Sequence, residues 1–390
     1  MKDYKSLYQH FLKGSQDELH FAAHSHHFWP DVTRAAQLQC WDDAARFNDA
    51  KWGHIFSTII PATQGHIAAI LELQRPAMIA LAPNTHELLT RALSPYLLRP
   101  RLRLLTSDSE FHSFSRQLRR WEETHPHLQV TRLRGEDLLT DRRAFLARLT
   151  EELPQHDVLF LSQVFFNSGL ALSQQEIEAI VAAAPAEMAI FIDGYHGFAA
   201  LPLSLRNLEG RVFYLGGGYK YAQGGEGVGF MLVPERFEAP VLTGWYAQFA
   251  QLSAQKSAVG FSDDGMAFWG ATMDPSGWYR FNATWDLFRQ QGLTVPAIHQ
   301  HVCALQEQLL TELSLRDTHL LSTCRLLHDA RARLHGHFLT FAAPSESAAD
   351  GIEKELKNRG VVIDRRGERL RFGIGLYHDR TDVTELLTRL

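Results

Sequence analysis

Short apolar runs alternate with amphipathic segments along most of the chain. Runs bounded by glycine or polar residues predict buried strands, namely Met78 to Ala82, Leu102 to Thr106, Leu128 to Leu133, Val158 to Leu161, Met188 to Ile192 and Arg211 to Leu215. The segments around them predict helices at Asp31 to Ala50, Ile55 to Leu73, His86 to Leu93 and Gln174 to Ala184. Ser173 and Glu176 have the spacing of a capping box before the last of these helices. The alternation predicts an α/β sheet assembled from βαβ units.

The pattern changes beyond Gly292, a residue type that commonly ends a helix. A long amphipathic helix is predicted first, and strands then alternate with one more helix, which indicates a smaller α+β layer. These elements are Val295 to Leu313, Phe338 to Ala342, Ser347 to Asn358, Gly360 to Asp364 and Leu370 to Tyr377. A chain of 390 residues exceeds the usual size of one domain. We expect an N-terminal segment at 1–50, a large domain at 51–285 and a small domain at 286–390.

Composition narrows the class of protein. The chain is 45% hydrophobic and 21% charged, as in ordinary globular proteins, and its formal net charge of −5 gives no reason to expect a nucleic acid or an anionic membrane as partner. The N-terminus lacks the apolar core of a signal peptide, and no apolar run is long enough for a transmembrane helix. The three cysteines, Cys40, Cys303 and Cys324, are far apart and odd in number. We therefore expect a reducing, cytoplasmic location without a disulfide framework.

Two neighbouring strand ends carry the candidate chemistry. The run Met188 to Ile192 ends at Asp193, and the run Arg211 to Leu215 ends in three glycines followed by Tyr219 and Lys220. Ligands of open α/β sheets gather at the carboxyl ends of the strands. A lysine and an aspartate in such positions suit pyridoxal phosphate (PLP), because the amine can form a Schiff base while the carboxylate pairs with the protonated pyridine nitrogen. The alternative is a turn-capping aspartate and a solvated loop lysine.

The segment Asp193-x-x-His196, with Tyr219-Lys220 following at its characteristic distance, resembles the class V aminotransferase superfamily of fold-type I PLP-dependent enzymes. The likeness is strongest to kynureninase. It implies a large domain with a mainly parallel seven-stranded sheet, a smaller α+β C-terminal domain, and a homodimer with shared active sites that acts on a small amino-acid substrate.

The resemblance assigns a role to each candidate cofactor residue. Lys220 is the catalytic lysine, and Asp193 with His196 supports the nitrogen side of the ring. The remaining cofactor-binding candidates are the phosphate residues Asn84, Thr85, Tyr219, Trp245 and Thr272, the stacking ring Phe111, and the hydroxyl of Ser168. Asn84 and Thr85 are also ordinary helix caps, so simple capping is the alternative for them. The family brings Thr272 from the second subunit.

The substrate side rests on an arginine and a histidine-rich loop. Arg371 matches the arginine that grips the substrate carboxylate, with Arg365 and Arg366 as rivals and a surface salt bridge as the alternative for all three. His24 and His26 lie in a segment that kynureninase-like enzymes bring over the active site. Their spacing does not favour a metal, and we expect no metal site.

Two departures from kynureninase keep other reactions open. Phe114 stands where kynureninases carry an aspartate, and Asp274 lies where they carry an asparagine near the substrate ring. We therefore expect a kynureninase-like hydrolase that cleaves the Cβ–Cγ bond of kynurenine, with a class V aminotransferase or a β-eliminating lyase as the alternative. A cysteine desulfurase is less favoured, since its nucleophile would have to be Cys324, which borders an apolar run. A non-enzymatic binding protein is disfavoured by the joint presence of Thr85, Asp193, Tyr219 and Lys220.

Overall fold

The computed structural model describes residues 3–15, 17–251, 258–329 and 332–390. Its strands are β1 Leu19–His20, β2 Ile79–Ala82, β3 Leu102–Ser107, β4 Leu128–Leu133, β5 Val158–Ser162, β6 Ala189–Asp193, β7 Val212–Gly217, β8 Gly229–Leu232, β9 Arg325–Leu326, β10 Phe338–Ala342, β11 Val361–Val362, β12 Asp364–Arg366 and β13 Arg369–Gly373. Its α-helices are α1 Gln9–Gly14, α2 Val32–Phe47, α3 Lys51–His54, α4 Ile60–Leu71, α5 Thr85–Leu93, α6 His112–Thr124, α7 Asp137–Thr140, α8 Arg142–Glu152, α9 Gln174–Ala183, α10 Ser276–Gln290, α11 Val295–Ser314, α12 Glu346–Asn358 and α13 Arg380–Arg389. Shorter helical turns lie at Lys5–Leu7, Asn48–Ala50, Ile55–Ile59, Pro76–Met78, Tyr96–Leu98, Leu153–Gln155, Trp245–Gln251 and Gly265–Phe268.

A seven-stranded sheet forms the centre of the molecule, in the order β2-β8-β7-β6-β5-β3-β4. Strands β7, β6, β5, β3 and β4 pair in parallel, whereas β8 runs antiparallel to both of its neighbours. Strand β5 is buried throughout, and β6 is buried until Asp193, which is partly exposed. Burial on both faces explains why these strands read as continuous apolar runs, and the predicted mainly parallel seven-stranded sheet is confirmed.

A smaller antiparallel sheet, in the order β12-β13-β10-β9, belongs to a second layer. It shares a hydrophobic core with α11, α12 and α13, separate from the core around the large sheet. The N-terminal segment reaches this layer as well, because β1 pairs in parallel with β11 and Phe21 is buried in the second core. The three domain ranges given above remain predictions.

Most predicted elements lie within a few residues of their predicted positions, and the capping box of Ser173 and Glu176 is formed at α9. Three helical regions were not predicted, namely α7 with α8, most of α10, and α13. Helix α10 is buried on nearly all sides, including Trp278 and Trp285. A helix surrounded by protein has no polar stripe, which removes the periodic signal on which sequence prediction depends.

Candidate active site

A cavity of about 260 Å³ lies at the carboxyl edge of the large sheet. It is bordered by the ends of β5, β6 and β7, by the start of α5 after β2, and by the segment that joins β3 to α6. Seven of the predicted site residues line it, namely Asn84, Thr85, Phe111, Asp193, His196, Tyr219 and Lys220. Side chains that are separated by more than a hundred positions in the chain meet here because parallel strands end at one edge.

Lys220 is the central polar group of this cavity. Its side chain is buried, and its Nζ lies 2.7 Å from Nε2 of His196. The rings of Phe111, Tyr195 and Tyr219 surround the amine, with centroids 5.3 to 5.7 Å from Nζ. Burial lowers the pKa of Lys220 to about 7, although the nearby Asp193 carboxylate acts in the opposite direction. A substantial fraction of this amine is therefore neutral and nucleophilic near neutral pH.

Two glycines make room for the residues around the lysine. A Cβ at Gly217 would lie 2.3 Å from the Tyr195 hydroxyl, so only glycine lets β7 end beside that ring. A Cβ at Gly229 would lie 2.5 Å from the backbone of Asn84, which holds β8 against the start of α5. The glycine-rich stretch thus serves close backbone and side-chain approach.

Asp193 occupies the end of β6, with Oδ1 accepting a hydrogen bond of 2.9 Å from the Tyr195 N–H. Burial raises the pKa of Asp193, while the Tyr195 N–H and the Lys220 charge lower it. His196 was expected on the Asp193 side of a bound ring, but its direct contact is with Lys220. Burial and the neighbouring Lys220 charge hold the pKa of His196 well below its usual range, so this imidazole is neutral.

The start of α5 offers hydrogen-bond donors to the cavity. The Asn84 side chain accepts from the Glu87 N–H and caps the helix, while Thr85 and His86 face the cavity. Tyr219 and the Ser113 hydroxyl complete this end of the lining. Backbone N–H groups at a helix start, together with hydroxyls, suit an anionic group such as a phosphate.

Aromatic side chains form the opposite wall. Phe111 meets Phe166 edge to face at 5.4 Å, and Phe114 stacks on Phe160 at 3.6 Å. Phe114, which replaces a polar residue of kynureninases, is thus a packed part of the wall. The arrangement leaves a flat apolar slot in which a planar ring fits.

Six predicted residues do not line the cavity. Ser168 is buried, and its hydroxyl accepts from the Leu170 N–H. Trp245 and Thr272 are both exposed, and the Trp245 ring packs on Tyr246. The other three are His24, His26 and Arg371, which lie on the side of the small layer or over the Tyr219 ring.

The histidines of the N-terminal loop contact protein groups. His27 Nε2 accepts from the Leu376 N–H, and the exposed His26 lies 3.6 Å from Glu226. Throughout residues 3–15, 17–251, 258–329 and 332–390, no group of three His, Cys, Asp or Glu side chains is placed to hold a metal ion. The loop binds the N-terminal segment to the small layer by hydrogen bonds.

Sequence reasoning missed a buried carboxyl beside the cavity. Glu110 is 2% exposed and accepts hydrogen bonds from the hydroxyls of Ser107, at 2.6 Å, and Ser162. Burial raises its pKa to about 8, and the negative charge of Asp193 adds to this shift. Two features of the sequence could have indicated Glu110: it directly precedes Phe111, and its partner Ser162 lies at the end of a predicted strand.

Glu110→Gln is expected to change how stability depends on pH. The pKa of Glu110 is about 8 in the folded state, against a reference of 4.5, so the folded state holds this proton more tightly than the unfolded chain. The free energy of unfolding should therefore fall as pH rises from about 4.5 to about 8, by an amount on the order of a few kcal/mol. Glutamine keeps the serine hydrogen bonds without the ionisable group, so its variant should lack this loss.

Urea unfolding of both proteins at about pH 5, 6.5 and 8.5 would measure the effect. Glu123→Gln removes an exposed carboxylate near α6 and serves as the control, which should follow the wild type. An unchanged pH dependence in Glu110→Gln would contradict the assignment.

The fold of this chain matches those of solved structures. The chain matches the cystine C–S lyase C-DES in complex with its reaction product cysteine persulfide, with a TM-score of 0.81, 19% identity, and 97% and 98% of the two chains covered. A lysine-to-alanine mutant of C-DES with glycine covalently linked to the PLP cofactor gives a TM-score of 0.84 at 18% identity, covering 100% and 99%. The apo cysteine desulfurase from Thermococcus onnurineus NA1 gives 0.79 at 14%, covering 100% and 97%. This chain has the fold-type I fold.

No protein-family model and no curated protein sequence matches the chain. In the part of the chain that the structure describes, no helix has the length and apolar character needed to span a bilayer. These solved structures are a C–S lyase and a cysteine desulfurase, and they share the fold of this chain.

Proposed function

We propose that this protein is a PLP-dependent enzyme that acts on an amino acid. The observation that carries the proposal is the buried Lys220 amine, with a pKa of about 7, inside a cavity that also contains Asp193. A buried lysine without an ion-pair partner at hydrogen-bond distance is costly, and a reactive amine is the common reason for keeping one. Two structural neighbours point the same way, since one is a C–S lyase in complex with cysteine persulfide and the other carries glycine linked to PLP.

The cavity offers suitable groups for both the phosphate and the ring of PLP. The phosphate would lie at the start of α5, held by Thr85, Asn84 and the Tyr219 hydroxyl. The ring would lie in the slot beside Phe111, with Asp193 at its nitrogen. When bound, the cofactor supplies an electron sink for the electrons of a bond broken at the substrate Cα or Cβ.

The chain's own groups supply the proton transfers. Lys220 Nζ is the group placed to remove a proton from the substrate Cα and return it, because its pKa of about 7 suits both directions near neutral pH. Neutral His196, 2.7 Å away, orients the amine by accepting one of its hydrogens. An ionised Asp193 carboxylate beside the ring nitrogen of bound PLP would favour the protonated form of that nitrogen.

Among the reactions open to such an enzyme, we favour β-elimination with cleavage of a carbon–sulfur bond. C-DES is a cystine C–S lyase whose reaction product is cysteine persulfide. A cysteine desulfurase, in contrast, needs a nucleophilic cysteine of its own chain close to the bound substrate. All three cysteines of this chain are described by the structure, and none lines the cavity. Burial raises the pKa of each, to about 11 at Cys40, which disfavours the reactive thiolate.

Kynureninase-type hydrolysis is the second candidate. Phe111 and the Gly244-Trp245 segment support it, since kynureninases have the same residue types in matching places. The aromatic wall of Phe111, Phe114 and Phe166 also suits a substrate with an aryl group.

Product analysis separates the two reactions. We expect purified protein with added PLP to convert L-cystine and water into pyruvate, ammonia and cysteine persulfide, measured as pyruvate and as cyanide-reactive sulfur. The kynureninase candidate instead predicts fluorescent anthranilate, together with alanine, from L-kynurenine. If PLP binds but neither substrate gives its expected product, both reactions are rejected and the cofactor proposal stands.

We also propose a homodimer with shared active sites. Val241, Leu242 and Trp245 are 50%, 54% and 45% exposed and lie together in the chain, and Thr272 is exposed as well. An apolar surface of this kind supports an interface with a second copy, which would bring Thr272 to the other copy's phosphate site. Light scattering should give twice the chain mass, and a monomer with full activity would contradict the proposal.

A further inference from the structure

Arg371 is already occupied by groups of this chain. It is 3% exposed, and its guanidinium lies between the rings of Phe166 and Phe338, with centroids 5.9 and 5.8 Å away. Nη1 donates to the Phe166 carbonyl, and Nη2 donates to Asp364. Within the described residues, the Nε N–H has no hydrogen-bond partner.

Asp364 is held against this arginine by the register of the small sheet. Strands β12 and β13 are antiparallel, and Asp364 lies directly opposite Arg371 in their pairing. The Asp364 side chain is 16% exposed, and its Oδ2 also lies 3.4 Å from His24 Nε2. The carboxylate therefore lies between the arginine and the His24 ring, and burial holds the pKa of His24 well below its usual range.

The five N–H groups of a guanidinium bind a carboxylate best through two neighbouring donors. On Arg371 one N–H of Nη1 is used by the Phe166 carbonyl and one N–H of Nη2 by Asp364. The unpartnered Nε–H lies on the same side of the guanidinium as Nη2, so these two nitrogens form the side-on donor pair, and Asp364 occupies one of them. An incoming carboxylate that binds this pair at two points takes the place of the Asp364 carboxylate. The His24 ring beside Oδ2 offers a polar group toward which the released carboxylate can turn.

We propose that Asp364 is a specificity-determining residue that competes with the substrate carboxylate for Arg371. This inference rests on the proposed function, an enzyme that acts on an amino acid. It takes Arg371 as the carboxylate-binding residue because its guanidinium contacts Phe166, which lines the cavity. The Asp364 side chain presents to Arg371 the same chemical group, a carboxylate, that the substrate would present. Substrates with a free α-carboxylate bind by displacing the Asp364 carboxylate from Arg371. Amines that lack a carboxylate cannot displace it, so their affinity does not depend on Asp364.

The test is the affinity of PLP-loaded protein for two probes, followed by the change in visible absorption. L-alanine carries a carboxylate and no β leaving group, and ethylamine carries only the amine. Asp364→Asn keeps the shape and removes the charge of the competitor, so the Kd for L-alanine should fall about tenfold or more, as expected for a charged hydrogen bond. The Kd for ethylamine should stay unchanged.

Glu353→Gln is the matched control, because Glu353 pairs with Arg365 at 2.7 Å in the same layer. It removes one negative charge without touching Arg371 and should leave both Kd values unchanged. Asp364→Ser gives a second neutral variant if the asparagine protein melts early, and Asp364→Glu should keep the wild-type preference.

The direction in which the Kd for L-alanine changes shows whether Asp364 competes with the substrate for Arg371 or only orients Arg371. A higher or equal Kd for L-alanine in both neutral variants, with wild-type melting temperature, would overturn the inference alone. Wild-type protein that develops no absorption band with PLP would overturn the proposed function, and this inference with it.

Discussion

Lys220→Ala is expected to abolish turnover and to remove the absorption band that arises when PLP is bonded to the Lys220 amine. The variant loses the amine that would bond to the cofactor and carry protons at the substrate Cα. Proton transfer by a positioned side chain contributes about 10²–10⁴-fold to rate, so at least that loss is expected on the productive substrate. The measurement is product release together with the spectrum of the PLP-loaded protein.

A mass measurement makes this test independent of the substrate. Borohydride reduction of PLP-loaded wild type should add the cofactor to the peptide that contains Lys220, and the variant should remain unlabelled. Lys354→Ala removes an exposed lysine of α12, 72% exposed at its side chain, and should behave as the wild type. Labelling at another lysine, with activity retained in Lys220→Ala, would contradict the assignment.

Asp193→Asn should have the second-largest effect. Asparagine keeps the place of the side chain but removes the charge that holds the ring nitrogen protonated, which weakens the electron sink. A hydrogen bond to a charged group contributes roughly 1.5–3 kcal/mol, so kcat should fall about 10–100-fold or more while PLP stays bound. Turnover and cofactor content, measured on the same sample, check both parts.

Glu226→Gln is the control for Asp193→Asn, because Glu226 is a carboxylate of the same glycine-rich stretch with a side chain 59% exposed. Its kcat should remain near the wild-type value. An Asp193→Asn protein with full kcat, or one that loses PLP without a change in the rate of the remaining holoenzyme, would place the carboxylate outside the reaction.

The reaction that we propose differs from the one that the sequence favoured. The resemblance to kynureninase rests on residue types such as Phe111 and Trp245, which describe the cofactor surroundings more than the bond that is cleaved. The structural neighbours include a C–S lyase and a desulfurase, and the position of the cysteines separates those two. For this reason the cystine assay comes before the kynurenine assay.

The sequence by itself determined most strands of the large sheet, their order in the chain, and the two strand ends that carry Asp193 and Lys220. These features are local, since apolar runs, caps and glycines act over a few residues. The family resemblance assigned Asn84, Thr85, Phe111 and Tyr219 to one site, and in the structure all four line one cavity.

Only the tertiary structure decided which polar groups face one another. Arg371 donates to the carbonyl of Phe166, 205 positions away, and Glu110 meets Ser162, 52 positions away. Such contacts depend on strand register and on the packing of two layers, which no short sequence pattern encodes. Burial, which gives Lys220 and Glu110 their shifted pKa values, is likewise a property of the packed molecule and not of the chain.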